Sequence, residues 1–138
     1  RQFIYRKYAL TMTQEEKKEP NTVGLTNENH QWLKTFHEKN IFLEMLDGYR
    51  FAIAYALNKE IQPLKISGER KKTFINLGSL DPKREIYNAI ISLTPDLEPP
   101  IYDYAERLAE VGMIELVNIY EKNQRLDLAK IIEESSEV

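Results

Sequence analysis

Residues 43–58 read Leu-Glu-Met-Leu-Asp-Gly-Tyr-Arg-Phe-Ala-Ile-Ala-Tyr-Ala-Leu-Asn. Apolar side chains recur in this stretch at steps of three and four residues, which is the period of one helix face. Phe51, Ala52 and Tyr55 widen that face, so the segment predicts a helix at the centre of the fold. Gly48 costs about 1 kcal/mol relative to alanine inside a helix, so Asp47 is an alternative helix start, as an N-cap.

Start and stop signals place the other helices. Asp81 precedes Pro82, and this pair predicts a helix N-terminus because the aspartate caps it and a first-turn proline needs no N–H. Gly112 predicts a helix end, since glycine readily adopts the backbone conformation found there. The expected helices cover residues 27–39, 82–93, 100–111, 113–122 and 126–133. The predicted core contains Trp32, Phe36, Ile53, Ile90 and Leu108.

The N-terminal part of the chain has a different character. Residues 3–12 are rich in aromatic and β-forming side chains, which favours a strand or an extended arm over a helix. Residues 13–25 are polar and contain a Pro-Asn turn signal, so they are interpreted as a solvated linker. Residues 73–77 predict a short strand that ends at Gly78, and they are the natural partner of residues 3–12.

These elements predict a mainly α fold, a compact bundle of five or six helices with a short two-stranded β ribbon formed by residues 3–12 and 73–77. The expected organisation is an arm and linker over residues 1–25 and a helical domain over residues 26–134. An isolated strand must pair with another segment, another subunit or water. Pairing with a second copy would make a homodimer, with Phe3, Tyr5 and Tyr8 at its interface.

Composition narrows the functional classes. The 138 residues include 0 Cys, which excludes disulfides and cysteine ligands and is typical of a cytoplasmic protein. No apolar run approaches the length of a membrane span, and the first residues lack the apolar region of a signal peptide. The net charge is −3, yet residues 1–80 hold 13 Lys+Arg against 9 Asp+Glu, whereas residues 81–138 hold 6 against 13. This asymmetry favours an anionic partner for the first part, or it reflects ordinary solvated helix faces.

The sequence contains no recognisable catalytic or metal-binding motif. His30 and His37 are seven residues apart, about 10 Å along a helix axis, which is too far for two ligands of one metal. Asp103, Glu106 and Glu110 share one helix face, but no histidine or nucleophile accompanies them in the sequence. They are interpreted as the exposed stripe of an amphipathic helix. The expected protein is therefore not an enzyme and needs no cofactor.

The basic residues around position 70 are the best candidate for binding anions. Lys and Arg next to an aromatic residue can contact phosphates and stack on bases, and this combination surrounds Phe74. The alternative is an ordinary solvated loop within residues 59–73. The candidate nucleic-acid-binding residues are Arg70, Lys71, Lys72 and Lys65, joined by Arg6 and Lys7 of the arm.

Residues 40–57 also carry a family resemblance. Asp47, Phe51, Ala52 and Ala56 follow the pattern Asp-x-x-x-Phe-Ala-x-x-x-Ala, and residues 104–112 form a second matching segment. In these features the chain resembles small helical accessory proteins of bacterial DNA phosphorothioation defence clusters, over about a quarter of its length. The resemblance implies a role in DNA modification or restriction, and it transfers no catalytic residue.

The expected function is therefore that of a non-enzymatic accessory or regulatory module in a bacterial DNA-defence system. Such a module would act by binding DNA or another protein of the same locus. The alternative is a helical protein–protein adaptor or oligomerisation module with no role in nucleic-acid binding. Salt-dependent DNA affinity separates the two, because an adaptor would copurify with a protein and ignore DNA.

Overall fold

The computed structural model describes residues 18–63 and 71–136. The fold class is confirmed: six helices and a two-stranded antiparallel ribbon make up the described part. The elements are β1 (Thr22–Thr26), α1 (Asn27–Glu38), α2 (Met45–Asn58), β2 (Lys71–Asn76), α3 (Leu77–Leu80), α4 (Glu85–Leu93), α5 (Ile101–Asn123) and α6 (Leu128–Ser136).

Helix α2 lies at the centre, as its wide apolar face predicts. Tyr49, Ala52, Ile53 and Ala56 are buried along it, and its main packing partner is α5. One continuous core contains four of the five predicted residues, Phe36, Ile53, Ile90 and Leu108. The fifth, Trp32, is partly buried and packs against that core.

Helix α5 runs without a break from Ile101 to Asn123, so the prediction that Gly112 ends a helix is wrong. Gly112 lies in the middle of α5, against the backbone of Ala52 in α2. A Cβ at this position would overlap the Ala52 carbonyl. Glycine is therefore present because two helix backbones approach closely there, and packing outweighs its weak helix propensity.

The ribbon forms, but its first strand is not the expected one. β2 overlaps the predicted residues 73–77, and it pairs with Thr22–Thr26, which the sequence interpretation assigned to a solvated linker. That interpretation is wrong for β1, because Val23 and Leu25 are completely buried. β2 also begins at Lys71, within the predicted loop of residues 59–73. Residues 3–12 lie outside the described part of the chain.

A β-bulge interrupts the ribbon between Val23 and Gly24, where the register passes from Ile75 to Thr73. At Gly24 the two strands are so close that a Cβ would overlap the backbone of β2. The bulge leaves Phe74 as the extra residue on β2, as bulged strands commonly do. Gly24 is thus required by the close approach of the two backbones.

Two acidic side chains outside the helices accept the first N–H groups of α5 and α4. Glu19, also assigned to the linker, accepts the N–H groups of Ile101 and Tyr102 at 2.9 and 2.8 Å and so caps α5. Asp81 accepts the N–H groups of Ile86 and Tyr87, both at 2.9 Å. The Asp81 side chain thus caps the helix as predicted, but Asp81 does not directly precede it: α4 begins at Glu85 rather than at residue 82, and Arg84 is at the N-cap position. A turn of residues 81–84 separates the cap from the helix.

Candidate anion-binding surface

Helix α1 and strand β2 bring three basic side chains together. α1 follows β1 directly, so it lies beside the ribbon. His30 and Lys34 are four residues apart and share one face of α1. The His30 ring meets Phe74 of β2 edge-on, with 4.7 Å between centroids, and Lys72 lies two residues before Phe74 on the same strand. We refer to His30, Lys34 and Lys72 as the basic cluster.

The electrostatics of His30 show that these charges act on one another. Burial and the ammonium groups of Lys72 and Lys34 together lower the pKa of His30 below its usual value. Like charges disfavour a third positive charge on the imidazole. The ammonium groups of Lys72 and Lys34 are therefore near enough to the partly buried imidazole of His30 to favour its neutral form.

In the part of the chain that the structure describes, no carboxylate pairs with either lysine of the basic cluster. Lys34 and Lys72 are exposed, and neither forms an ion pair within residues 18–63 and 71–136. Arg50 differs, because its guanidinium donates to the carbonyl oxygens of Leu80 and Ser79 at 3.0 and 2.7 Å. Arg50 thus holds α3 in place, whereas Lys34 and Lys72 face solvent.

The structure places few of the residues predicted to bind nucleic acid. Lys72 is exposed in the basic cluster, and the backbone of Lys71 belongs to β2. Sequence reasoning missed His30 and Lys34 as members, although their four-residue spacing on a predicted helix was a usable signal. The other residues predicted to bind nucleic acid lie outside the described part of the chain: Arg6, Lys7, Lys65 and Arg70. The same is true of the residues predicted for a homodimer interface, Phe3, Tyr5 and Tyr8.

The acidic stripe on α5 is not exposed as predicted. Glu106 is 3% exposed, and its Oε2 accepts the Gly24 N–H at 2.8 Å. Glu110 accepts the N–H and the hydroxyl of Thr26 at 3.0 and 2.8 Å, and the side-chain amide of Asn29 at 2.6 Å. Of the three acidic residues only Asp103 is exposed. The interpretation of a solvated stripe is therefore wrong for Glu106 and Glu110.

Helix and strand geometry explain this contact. Four residues on a helix rise about 6 Å, and two residues on a strand span about 6.6 Å. Carboxylates at Glu106 and Glu110 therefore match the N–H groups of Gly24 and Thr26, which point away from β2. The contact satisfies one edge of the ribbon and has a structural role.

Tyr49 completes this buried network. Its hydroxyl donates to the Gly24 carbonyl oxygen at 2.9 Å. Burial, and then the charges of Glu106 and Glu110, raise the pKa of Tyr49 well above its usual value. The phenol therefore stays neutral and acts as a hydrogen-bond donor.

The described residues form neither a metal site nor a membrane span. No group of three or more His, Cys, Asp or Glu side chains among them could hold a metal ion. No helix in residues 18–63 and 71–136 combines the length and apolar character of a membrane span. Comparisons with known protein families, curated proteins and solved structures found no match to this chain.

Proposed function

We propose that this chain is a non-enzymatic binding module that contacts the phosphates of DNA through the basic cluster. The observation that carries the proposal is the 4.7 Å contact between the rings of His30 and Phe74, which joins the helix that carries Lys34 to the strand that carries Lys72. Both lysines are exposed and without ion pairs in the described part of the chain. Phosphate contacts by Lys and Arg supply most of the affinity of non-specific DNA binding. The proposed role as an accessory protein of a bacterial DNA-defence system rests on the sequence resemblance alone.

The distribution of charge along the chain supports binding of DNA on the side of α1 and β2. The part of the chain before residue 81 has more basic than acidic residues, and the part after it has the reverse. A polyanion bound at the basic cluster would be repelled by the acidic surface of the later helices, so DNA would approach from the side of α1 and β2. Arg70, Lys71, Lys65, Arg6 and Lys7 are proposed to extend the contact.

The test is binding of a short labelled DNA duplex at two salt concentrations. Two phosphate contacts predict a slope on the order of −2 in log K against log salt, and each further contact adds about −0.9. Replacing Lys34 and Lys72 together with Ala should lower the affinity and make the slope shallower by about 2. The matched control is Lys130→Ala, which removes an exposed lysine from α6.

His30 supplies a readout that is local to the cluster. Since nearby ammonium groups lower its pKa, a bound phosphate should raise that pKa again. An NMR titration of His30 with and without DNA measures the change. If the wild-type chain retains no DNA even at about 50 mM salt, where phosphate contacts are strongest, DNA binding is wrong and the adaptor function replaces it.

A further inference from the structure

The two outer edges of the ribbon differ in whether other elements form hydrogen bonds with them. The outer edge of β1 is covered, because Glu106 and Glu110 of α5 accept its N–H groups. Tyr49 donates to the Gly24 carbonyl on the same edge. An uncovered edge strand offers unpaired backbone groups that attract another strand. The question is therefore whether the outer edge of β2, which faces away from β1, is covered in the same way.

The register identifies the groups that β2 presents there. Gly24 directs both its N–H and its C=O away from β2, toward Glu106 and Tyr49. Its partner across the ribbon is Thr73, so this is a non-hydrogen-bonded pair and Thr73 also points its N–H and C=O outward. Outside the ribbon itself, no group among the described residues forms a hydrogen bond with these atoms.

An apolar cleft accompanies this edge. Its volume is about 290 Å³; four of its walls are apolar (Met45, Leu46, Phe74 and Ile75), and His37, Glu44 and Ser79 complete the lining. Phe74 and Ile75 directly follow Thr73 on β2, so the cleft lies beside the part of the strand where Thr73 points outward. The edge therefore offers backbone hydrogen bonds together with space for an apolar side chain, which is the combination that binds an extended peptide.

We propose that residues 3–8 of this same chain add a third strand to the outer edge of β2. They read Phe-Ile-Tyr-Arg-Lys-Tyr and combine β-forming aromatic residues with basic ones. The sequence predicted their pairing with residues 73–77, and since β1 occupies one edge of β2, the outer edge is the position that remains. This inference does not depend on DNA binding.

The path of the chain makes the contact feasible. The Asn21 carbonyl accepts the N–H of Leu77 at 3.2 Å, so the chain passes the end of β2 at Asn21, shortly after the described part begins at residue 18. A third strand would lie about 10 Å from β1, which is two strand spacings. Residues 9–17 can span up to about 30 Å. Tethering at that length raises the effective concentration to about millimolar, which favours the chain's own segment over a second copy. Arg6 and Lys7 would then lie on the ribbon that carries Lys72.

Amide hydrogen exchange followed by NMR on the full chain tests the proposal. The Thr73 amide should exchange slowly, and Tyr5→Pro should speed it at least about tenfold, because proline disrupts the added strand. The Lys72 amide is the internal reference: Lys72 is paired with Leu25, so its protection should not change. Gln14→Pro, outside the proposed strand, is the matched control and should leave Thr73 protected.

Deletion of residues 1–12 should have the same effect on Thr73 as Tyr5→Pro, with Lys72 reporting that the ribbon remains folded. Fast exchange of Thr73 in the wild-type chain would overturn the proposal. Protection that appears only as the chain becomes a dimer at higher concentration would also overturn it, and would assign the edge to a second copy.

Discussion

At the scale of single residues, the fold depends on two acidic side chains of α5, Glu106 and Glu110, that accept hydrogen bonds from β1. Glu110 accepts three hydrogen bonds, two from Thr26 and one from Asn29. Glu106 and Glu110 together join α5 to β1 by hydrogen bonds between residues more than 80 positions apart in the sequence. Carboxylates in such contacts stabilise a structure chiefly because removing them leaves donors without acceptors.

Glu110→Ala should therefore destabilise the protein by about 1–3 kcal/mol, since the donors of Thr26 and Asn29 lose their partner. Urea unfolding measures the change in free energy. Glu121→Ala is the matched control, because Glu121 is an exposed residue of the same helix; it should change stability by about 0.5 kcal/mol or less. Equal effects of the two substitutions would contradict the structural role of Glu110.

At the scale of elements, α2 and α5 form the framework on which the other elements pack. Ile53 of α2 is 2% exposed and belongs to the continuous core. Gly112 allows α5 to approach α2 at Ala52, so neither helix has room to move inward when a side chain is shortened. Interiors packed this closely retain cavities after large-to-small substitutions.

Ile53→Ala should cost about 2–5 kcal/mol, because it removes buried methyl groups and leaves a cavity between the helices. Ile132→Ala serves as control, since Ile132 on α6 is 56% exposed. Urea denaturation compares the two variants. A loss below about 1 kcal/mol for Ile53→Ala would mean that α2 does not occupy the centre of the fold.

At the scale of the whole molecule, ionisation of buried tyrosines ties stability to alkaline pH. Burial and the nearby carboxylates raise the pKa of Tyr49 well above the 10.0 that is usual for a tyrosine. The pKa values of Tyr55 and Tyr102 are raised as well, first by burial and then, for Tyr102, by its hydrogen bond to Asp81. Above pH 10 the unfolded chain thus loses protons that the folded chain keeps.

Stability should therefore be constant with respect to these tyrosines below pH 10 and should fall as the pH rises above it. The Tyr49 contribution to this slope is at most about 1.4 kcal/mol per pH unit. Urea melts at pH 8 and pH 11 measure the fall, and Tyr49→Phe should make it smaller because the phenol that resists ionisation is gone. An identical fall in both proteins would exclude Tyr49 as a cause.

Helix prediction worked where the signals are local. Both ends of α1, the C-terminal end of α2, the stop before Pro95 and the start after Pro100 follow from caps, prolines and apolar spacing within about one turn of the chain. The start of α2 does not, because this helix begins at Met45, after Glu44, and not at residue 43 or after Asp47. For the candidate surface, the sequence indicated Lys72 but not His30 and Lys34. Their proximity to Lys72 depends on the pairing of β1 with β2, and no local pattern encodes that pairing.

The sequence by itself determined the mainly helical class, the central position of α2 and the identity of most core residues, because each depends on the spacing of side chains along one segment. Tertiary structure decided the rest. Residues 22–26 became a strand only because Lys71–Asn76 and α5 satisfy both of its edges. Glu106 is buried and Glu110 is half-buried because those strand N–H groups stabilise their charges. Gly112 continues a helix because Ala52 leaves room for nothing larger. In each case the energy comes from a partner that is distant in sequence.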